Sequence, residues 1–293
     1  MKATPHNTMI GFIGTGVMGK SMAGHLLKGG YKLMVYNRTP EKAQDLIKQG
    51  ALWEADLTRL AASCQVIITM VGYPRDVEEV YLGEQGLVQH AQPGSYLIDM
   101  TTSSPLLAKK IFVAAQSKGL HALDAPVSGG DIGAREARLS IMVGGEESDF
   151  AAVQDIFALM GKNIILQGSA GAGQHTKMSN QIAIASNMIG VCEAIVYAQK
   201  AGLDPAKVLQ SIATGAAGSF SLSNLTPRML AGDFAPGFYI KHFIKDMTIA
   251  LESAQEMGMM TPGLALAKSL YEKLAAEGEG ESGTQALYKL YNR

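Results

Sequence analysis

The 293-residue chain has two cysteines, one tryptophan and 6% aromatic residues. Cys64 and Cys192 lie far apart in apolar surroundings with no CxxC spacing. They read as buried free thiols of a reducing compartment, which excludes a disulfide-stapled secreted scaffold. The six histidines (His6, His25, His90, His121, His175, His242) form no HxxxH or HxH pair, so no metal site is expected. Charge is nearly balanced, with 25 basic against 26 acidic residues and a net charge of -1. No basic block or stripe is present, so nucleic acid is not an expected partner. Small anions must then be held by local geometry, because the global field attracts them little. No uninterrupted apolar run reaches the ~18 residues of a membrane helix. The opening Met1-Lys-Ala-Thr-Pro-His-Asn-Thr8 is polar and lacks a signal-peptide core. The expectation is a soluble cytoplasmic protein with no membrane partner.

What the chain does have is 47% hydrophobic residues and 33 glycines, at a length that suits about two domains with a sizeable core. Short apolar runs alternate with helical patterns over residues 1–167. Strands are expected at Met9–Ile13, Lys32–Tyr36, Val66–Met70, Ser95–Ile98, His121–Leu123, Ser140–Val143 and Asn163–Leu166. Helical patterns between them cover Gly19–Leu27, Pro40–Lys48, Arg75–Tyr81, Pro105–Lys118 and Glu147–Met160. Such alternation predicts an α/β domain with a doubly wound parallel sheet, the last two strands being candidates for a mixed edge. From residue 168 to 293 the strand signals stop. Helices are expected over Gln174–Ala201, Pro205–Ala213, Ile244–Met257, Leu264–Ala276 and around Thr284–Tyr291, giving an all-α second domain. Asp204-Pro205 and Thr261-Pro262 read as helix starts with proline at the first helical position.

Met9-Ile-Gly-Phe-Ile13 is an apolar strand that ends in Gly14-Thr15-Gly16-Val17-Met18-Gly19, and a helix follows. In a dinucleotide-binding turn the first glycine makes the bend and the second admits the pyrophosphate. The third lets helix pack on strand, while the helix N-terminus offers amides to the phosphates. A lone GxGxxG is weak; between a first strand and a helix, with a second strand at the right distance, it is strong. That second strand ends in Asn37-Arg38-Thr39, where an NAD site would carry Asp or Glu, and the first acid is Glu41. A carboxylate would repel a 2′-phosphate, whereas guanidinium binds one. The cofactor expected is NADP, with NAD left open.

The segment Gly168-Ser-Ala-Gly171-Ala-Gly173-Gln-His-Thr-Lys177-Met-Ser-Asn180-Gln181 runs from a glycine-rich turn into a long apolar helix. Met178, Ile182, Ile184, Met188, Ile189, Ile195 and Val196 wrap most of its circumference, as in a buried helix. An ammonium there is costly without a partner or a task. Snorkelling at the helix start and a functional role are about equal on these residues alone.

Four separated motifs decide between them. Gly11-Phe-Ile-Gly14-Thr-Gly16-Val-Met-Gly19, Asp124-Ala-Pro-Val-Ser128-Gly129-Gly130, the lysine segment and Lys245-Asp246 together resemble the β-hydroxyacid dehydrogenases over almost the whole length. That family includes 3-hydroxyisobutyrate dehydrogenase and tartronate semialdehyde (2-hydroxy-3-oxopropionate) reductase. The resemblance implies a Rossmann-type domain followed by a helical domain, NAD(P) as cofactor, and a small carboxylate-bearing β-hydroxyacid or its semialdehyde as substrate. It implies Lys177 as catalytic acid/base, and Ser128, Gly129, Gly130, Asn180, Gln181, Phe238 and Asp246 as substrate-binding residues. Thr102 and Lys245 match cofactor-contacting positions, and Val71-Gly72 stands where Leu-Pro is common in the family. A homodimer or homotetramer is the assembly it implies. Chemistry agrees: Ser128 with two glycine amides suits a carboxylate, and Asn180 and Gln181 share a helix face with Lys177. Asp246 could equally serve a helix salt bridge. Two rivals stay open, a reductase of another carbonyl or an imine and a non-catalytic dinucleotide-binding protein.

Overall fold

The computed structural model describes residues 2–292, so Met1 and Arg293, the ends of the two expected domains, lie outside the described residues. Among the described residues nine strands form one sheet: β1 Met9–Ile13, β2 Lys32–Tyr36, β3 Leu52–Trp53, β4 Val66–Thr69, β5 Tyr96–Asp99, β6 His121–Asp124, β7 Val127–Ser128, β8 Leu139–Gly144 and β9 Gly161–Gly168. The first six are all parallel and lie in the order β3-β2-β1-β4-β5-β6, the doubly wound dinucleotide-binding order. β8 returns antiparallel, with Gly144 opposite Asp124 of β6, and carries antiparallel β7 and parallel β9. The expected mixed edge is therefore present.

The central strands are apolar throughout because both faces are covered. Val66, Ile68, Tyr96 and Ile98 feed one core cluster, while Ile67 and Leu97 between them feed the other. That alternation is the two-residue period of a strand. The seven expected strands differ from the observed ones by no more than a residue or two at each end. β3 and β7, two residues each, were not anticipated, since so short a stretch carries no period.

The chain divides into two compact units, Met1–Lys177 and Met178–Arg293. Unit one thus runs past the 167/168 boundary expected from composition and takes in the start of the long helix Ala172–Lys200. Unit two is helical, with a core built from Met178, Met188, Cys192, Ile195, Phe243, Met247, Leu264 and Tyr271 among others. Its helices Pro205–Ile212 and Pro262–Leu274 begin at the prolines, as expected, and Asp204 caps the first by accepting from Ala206 N–H at 2.9 Å.

The long helix departs from an all-round buried one. Ser179, Ala183, Ser186, Gly190, Glu193 and Tyr197 form an exposed stripe at three- and four-residue spacing, a single helix face. Apart from Tyr197, which is 75% exposed, small and polar side chains occupy that face, so the apolar residues around it still find the core. By length and composition alone this helix is apolar enough to cross a membrane, although no continuous apolar run in the sequence reached that length.

Candidate active site

Each glycine of the first turn has a distinct physical reason. Gly14 has φ +96°, and a Cβ there would lie 2.2 Å from Met70 O. A Cβ on Gly19 would lie 1.9 Å from Gly14 O, so the helix Val17–Lys28 can only approach β1 this closely with glycine at that position. At Gly16 a Cβ would meet nothing within 4 Å. The space in front of Gly16 is open, at the N-terminus of a helix with no side-chain cap and no acidic residue in its first turn. Buried Thr15 Oγ1 has no hydrogen-bond partner among the described residues. An open cradle, uncapped helix amides and an orphaned hydroxyl are the features a pyrophosphate-bearing cofactor would satisfy, and the residues present fit NAD(P). Val17 is exposed at the helix start, and Met18 packs against the core.

Asn37-Arg38-Thr39, Val71-Gly72 and Thr102 follow the C-terminal ends of the neighbouring parallel strands β2, β4 and β5, where ligands of such sheets bind. Asn37, after β2, accepts from Thr15 N–H at 3.0 Å and donates to Thr39 O at 2.8 Å. Its amide therefore ties the glycine turn to β2. Arg38 Nη1 donates to Asp76 Oδ1 at 3.1 Å, with the arginine 73% exposed and the aspartate buried. Asp76 also accepts from Tyr73 N–H at the start of the helix Pro74–Leu82. After β4, Val71 N–H donates to Thr101 Oγ1 at 3.0 Å, which holds the Val71-Gly72 backbone beside the Thr102 loop that follows β5. Below that loop, buried Asp99 Oδ1 accepts from Thr69 Oγ1 at 2.8 Å and Thr101 N–H at 3.0 Å. Burial pushes the Asp99 carboxyl up to about 6, against the pull of those hydrogen bonds.

Ser128 ends β7, paired with Ser140 of β8, and Gly129 and Gly130 follow with φ +132° and +62°. A side chain would be strained at both. The short helix Gly130–Arg135 begins there and packs on Val17–Lys28, where His25 Nε2 lies 2.9 Å from Ala134 O.

Lys177 is buried in the first turns of the long helix. Asn180 and Gln181, three and four residues on, belong to unit two. Asn180 Nδ2 donates to Gln181 Oε1 at 2.7 Å, and Gln181 Nε2 donates to Asp246 Oδ2 at 2.6 Å. Lys245 Nζ lies 2.9 Å from the other carboxylate oxygen of Asp246, the aspartate being buried and the lysine partly so. Asp246 thus binds Gln181 and Lys245 together, on the helix Ile240–Glu256. Phe238 packs at a tilt against Phe243, ring centroids 5.4 Å apart, and Phe243 meets Tyr271 edge-on at 5.1 Å. In that helix His242 is held below the ordinary histidine range by burial, then by Lys245 and Lys241. Among the described residues no group of three or more His, Cys, Asp or Glu could hold a metal ion.

Sequence reading missed Asp76, Thr101 and Gln174. Asp76 carries a local signal, since Tyr73-Pro74-Arg75-Asp76 has the spacing of a helix cap. Thr101 and Gln174 bind partners remote in sequence and leave no local trace.

Residues 9–168 match the family described as the NAD binding domain of 6-phosphogluconate dehydrogenase. Residues 171–291 match the one described as NAD-binding of NADP-dependent 3-hydroxyisobutyrate dehydrogenase. The chain belongs to the β-hydroxyacid dehydrogenase family. It is 65% identical over 282 residues to the uncharacterized oxidoreductase YkwC of Bacillus subtilis, covering 96% of this chain and 98% of that one. It is 40% identical over 278 residues to 2-hydroxy-3-oxopropionate reductase of Escherichia coli, covering 95% of each. Among solved structures, 3-hydroxyisobutyrate dehydrogenase of Mycobacterium tuberculosis superposes with a TM-score of 0.90 at 29% identity, over 98% of this chain and 99% of that one. As a β-hydroxyacid dehydrogenase family member, the protein is an NAD(P)-dependent oxidoreductase with a Rossmann-type domain and a helical C-terminal region.

Proposed function

We propose that the protein interconverts a small carboxylate-bearing β-hydroxyacid and its semialdehyde, with NADP(H) preferred and Lys177 as general acid/base. When bound, the nicotinamide supplies or accepts the hydride. The Lys177 ammonium donates a proton to the carbonyl oxygen as negative charge develops there. In the reverse direction the neutral amine takes the hydroxyl proton. Ser128 and the amides of Gly129 and Gly130 bind the substrate carboxylate, and Asn180 orients the oxygen that Lys177 serves. Gln181 is braced by Asp246, which supports a positioning role for it.

The observation that carries this reading is a buried lysine in the first turns of a helix whose next turn bears Asn180 and Gln181. A protein that only bound a dinucleotide would have no use for that set. NADP preference is supported by Arg38 at the end of β2 and by the lack of a carboxylate before Glu41. The localisation read with this function is a reducing, cytoplasmic setting, in which Cys64 and Cys192, both buried and not paired in a disulfide, stay as thiols.

A panel of glyoxylate, succinic semialdehyde, tartronate semialdehyde and 3-hydroxyisobutyrate, followed by NADPH absorbance, tests the substrate class. Turnover of none of them, with another carbonyl or an imine reduced instead, overturns it. Lys177→Ala is expected to lower kcat by about 10²- to 10⁴-fold while NADPH binding, read by fluorescence, stays within a factor of three or so. A variant that turns over normally removes Lys177 from the mechanism.

A further inference from the structure

The glycine-rich segment before Lys177 is built as a joint between backbone and backbone. A Cβ on Gly173 would lie 2.4 Å from Met142 O and 2.6 Å from Asp124 O. A Cβ on Gly144 of β8 would lie 2.5 Å from Asp124 Oδ1 and 2.7 Å from Gly173 N. The start of the long helix is therefore pressed directly onto the ends of β6 and β8, with the Asp124 carboxylate in the seam.

Two side chains fasten that seam. Asp124, the last residue of β6, accepts from Gly171 N–H at 2.7 Å and from Gln174 N–H at 2.8 Å, one through each carboxylate oxygen. These are helix-start amides that the helix itself cannot satisfy, and the carboxylate stands at the positive end of the macrodipole. Gln174 then reaches the other way: its Nε2 donates to Thr101 O at 2.7 Å, and its Oε1 accepts from Ser103 N–H at 2.9 Å. Asp124 and Gln174 are both buried. Between them the helix start is tied to the end of β6 and to the loop after β5 that carries Thr102. Neither tie touches Lys177. It stands three residues after Gln174, about 4.5 Å further along the axis, so any slip of the first turn moves its ammonium by a comparable amount.

We propose that Asp124 and Gln174 are positioning residues, a latch that fixes the start of the long helix and so sets Lys177 for proton transfer. The proposal rests on the acid/base reading of Lys177 and adds to it the residues that hold the lysine in register. A displacement of about 1 Å at a reacting group can cost 100-fold in rate, so a latch remote from the chemistry is worth having. Asp99 on β5 and His175 on the helix face the Asp124 carboxylate.

The test compares Asp124→Asn, Gln174→Leu and Lys177→Ala in the full chain. It uses whichever panel compound the wild type turns over fastest, with hydrogen–deuterium exchange of the peptide spanning residues 170–180 as a readout that needs no substrate. Asp124→Asn keeps the shape but sets an amide against one of the two N–H donors; Gln174→Leu removes the second tie without touching a charge. Each is expected to speed exchange in that peptide at least about tenfold and to lower kcat about 10- to 100-fold, with the NADPH dissociation constant and substrate KM within about threefold. Wild-type exchange in both variants, or wild-type kcat in both while Lys177→Ala is inactive, overturns the latch. Normal turnover by Lys177→Ala overturns the acid/base reading instead, and the exchange data then judge the helix anchor by itself.

Discussion

Lys177 and Asp99 show two ways of keeping an ionisable group out of water. On the proposed mechanism the lysine carries its cost for chemistry. Asp99 carries its cost for architecture, joining the ends of β4 and β5 through Thr69 and Thr101. Its carboxyl ordinarily titrates at 3.8 and is pushed up to about 6 by burial. The contribution to stability is therefore full below about pH 4 and is lost as pH rises through about 6. Asp99→Asn keeps Oδ1 as acceptor for both donors and removes the charge. Denaturant midpoints should show the variant more stable than wild type above pH 6, by at most roughly 3 kcal/mol, converging with it near pH 4. Parallel pH profiles would sink this account. At Arg38 the guanidinium is anchored on Asp76 yet largely exposed. Arg38→Ser is expected to weaken NADPH binding about 10- to 100-fold, the worth of a charge-assisted hydrogen bond, and to leave NADH nearly unaffected. Equal losses for the two cofactors would mean that Arg38 does not read the 2′-phosphate.

Among elements, the long helix and the first glycine turn differ in what their sequences reveal. Gly14, Gly16 and Gly19 follow a motif whose spacing states each glycine's task; the contacts at Gly14 and Gly19 agree with it, and a Cβ at Gly16 would meet nothing. Gly171 and Gly173 have no such motif, and their task depends on Met142, Gly144 and Asp124, which lie elsewhere in the chain. Gly173→Ala is expected to cost about 1–3 kcal/mol through overpacking, read as a lower melting temperature. Gly24→Ala, in the helix Val17–Lys28, meets only side-chain ends at ordinary contact, Leu46 Cδ2 at 3.9 Å and Gln49 Oε1 at 4.0 Å, and is expected to gain up to about 1 kcal/mol from helix propensity. The reverse order would show the helix start to be looser than its contacts imply. Helix starts at Pro205 and Pro262 were legible because proline acts locally. The helices Leu57–Ser63 and Thr226–Leu230 were not, being only two turns or less and held mainly by tertiary packing.

For the whole molecule, cofactor binding should couple to stability. NADPH at a hundredfold excess over its dissociation constant stabilises the folded chain by about 2.7 kcal/mol, and the thermal shift should be larger than with NADH at equal concentration. We further propose a homodimer or homotetramer, on the strength of the exposed face of the long helix and of Met259, Met260 and Leu266 in unit two. Light scattering at micromolar concentration should give a multiple of the chain mass, and a monomer would refute it. The division into an α/β part and a helical part followed from sequence, because strand and helix periods are local and the chain switches from one to the other near residue 168. So did the glycine turn, the acid-poor end of β2 and the unusual lysine, each a matter of residue type at short spacing. Tertiary structure alone decided that Asp246 binds Gln181 and Lys245, that Arg38 leans on Asp76, and that Asp124 and Gln174 hold the start of the long helix. Each of these bonds, apart from the adjacent Lys245–Asp246 pair, joins residues whose partners are brought near only by the fold. A hydrogen bond between remote residues leaves no periodicity behind it, so the fold had to be seen before they could be paired.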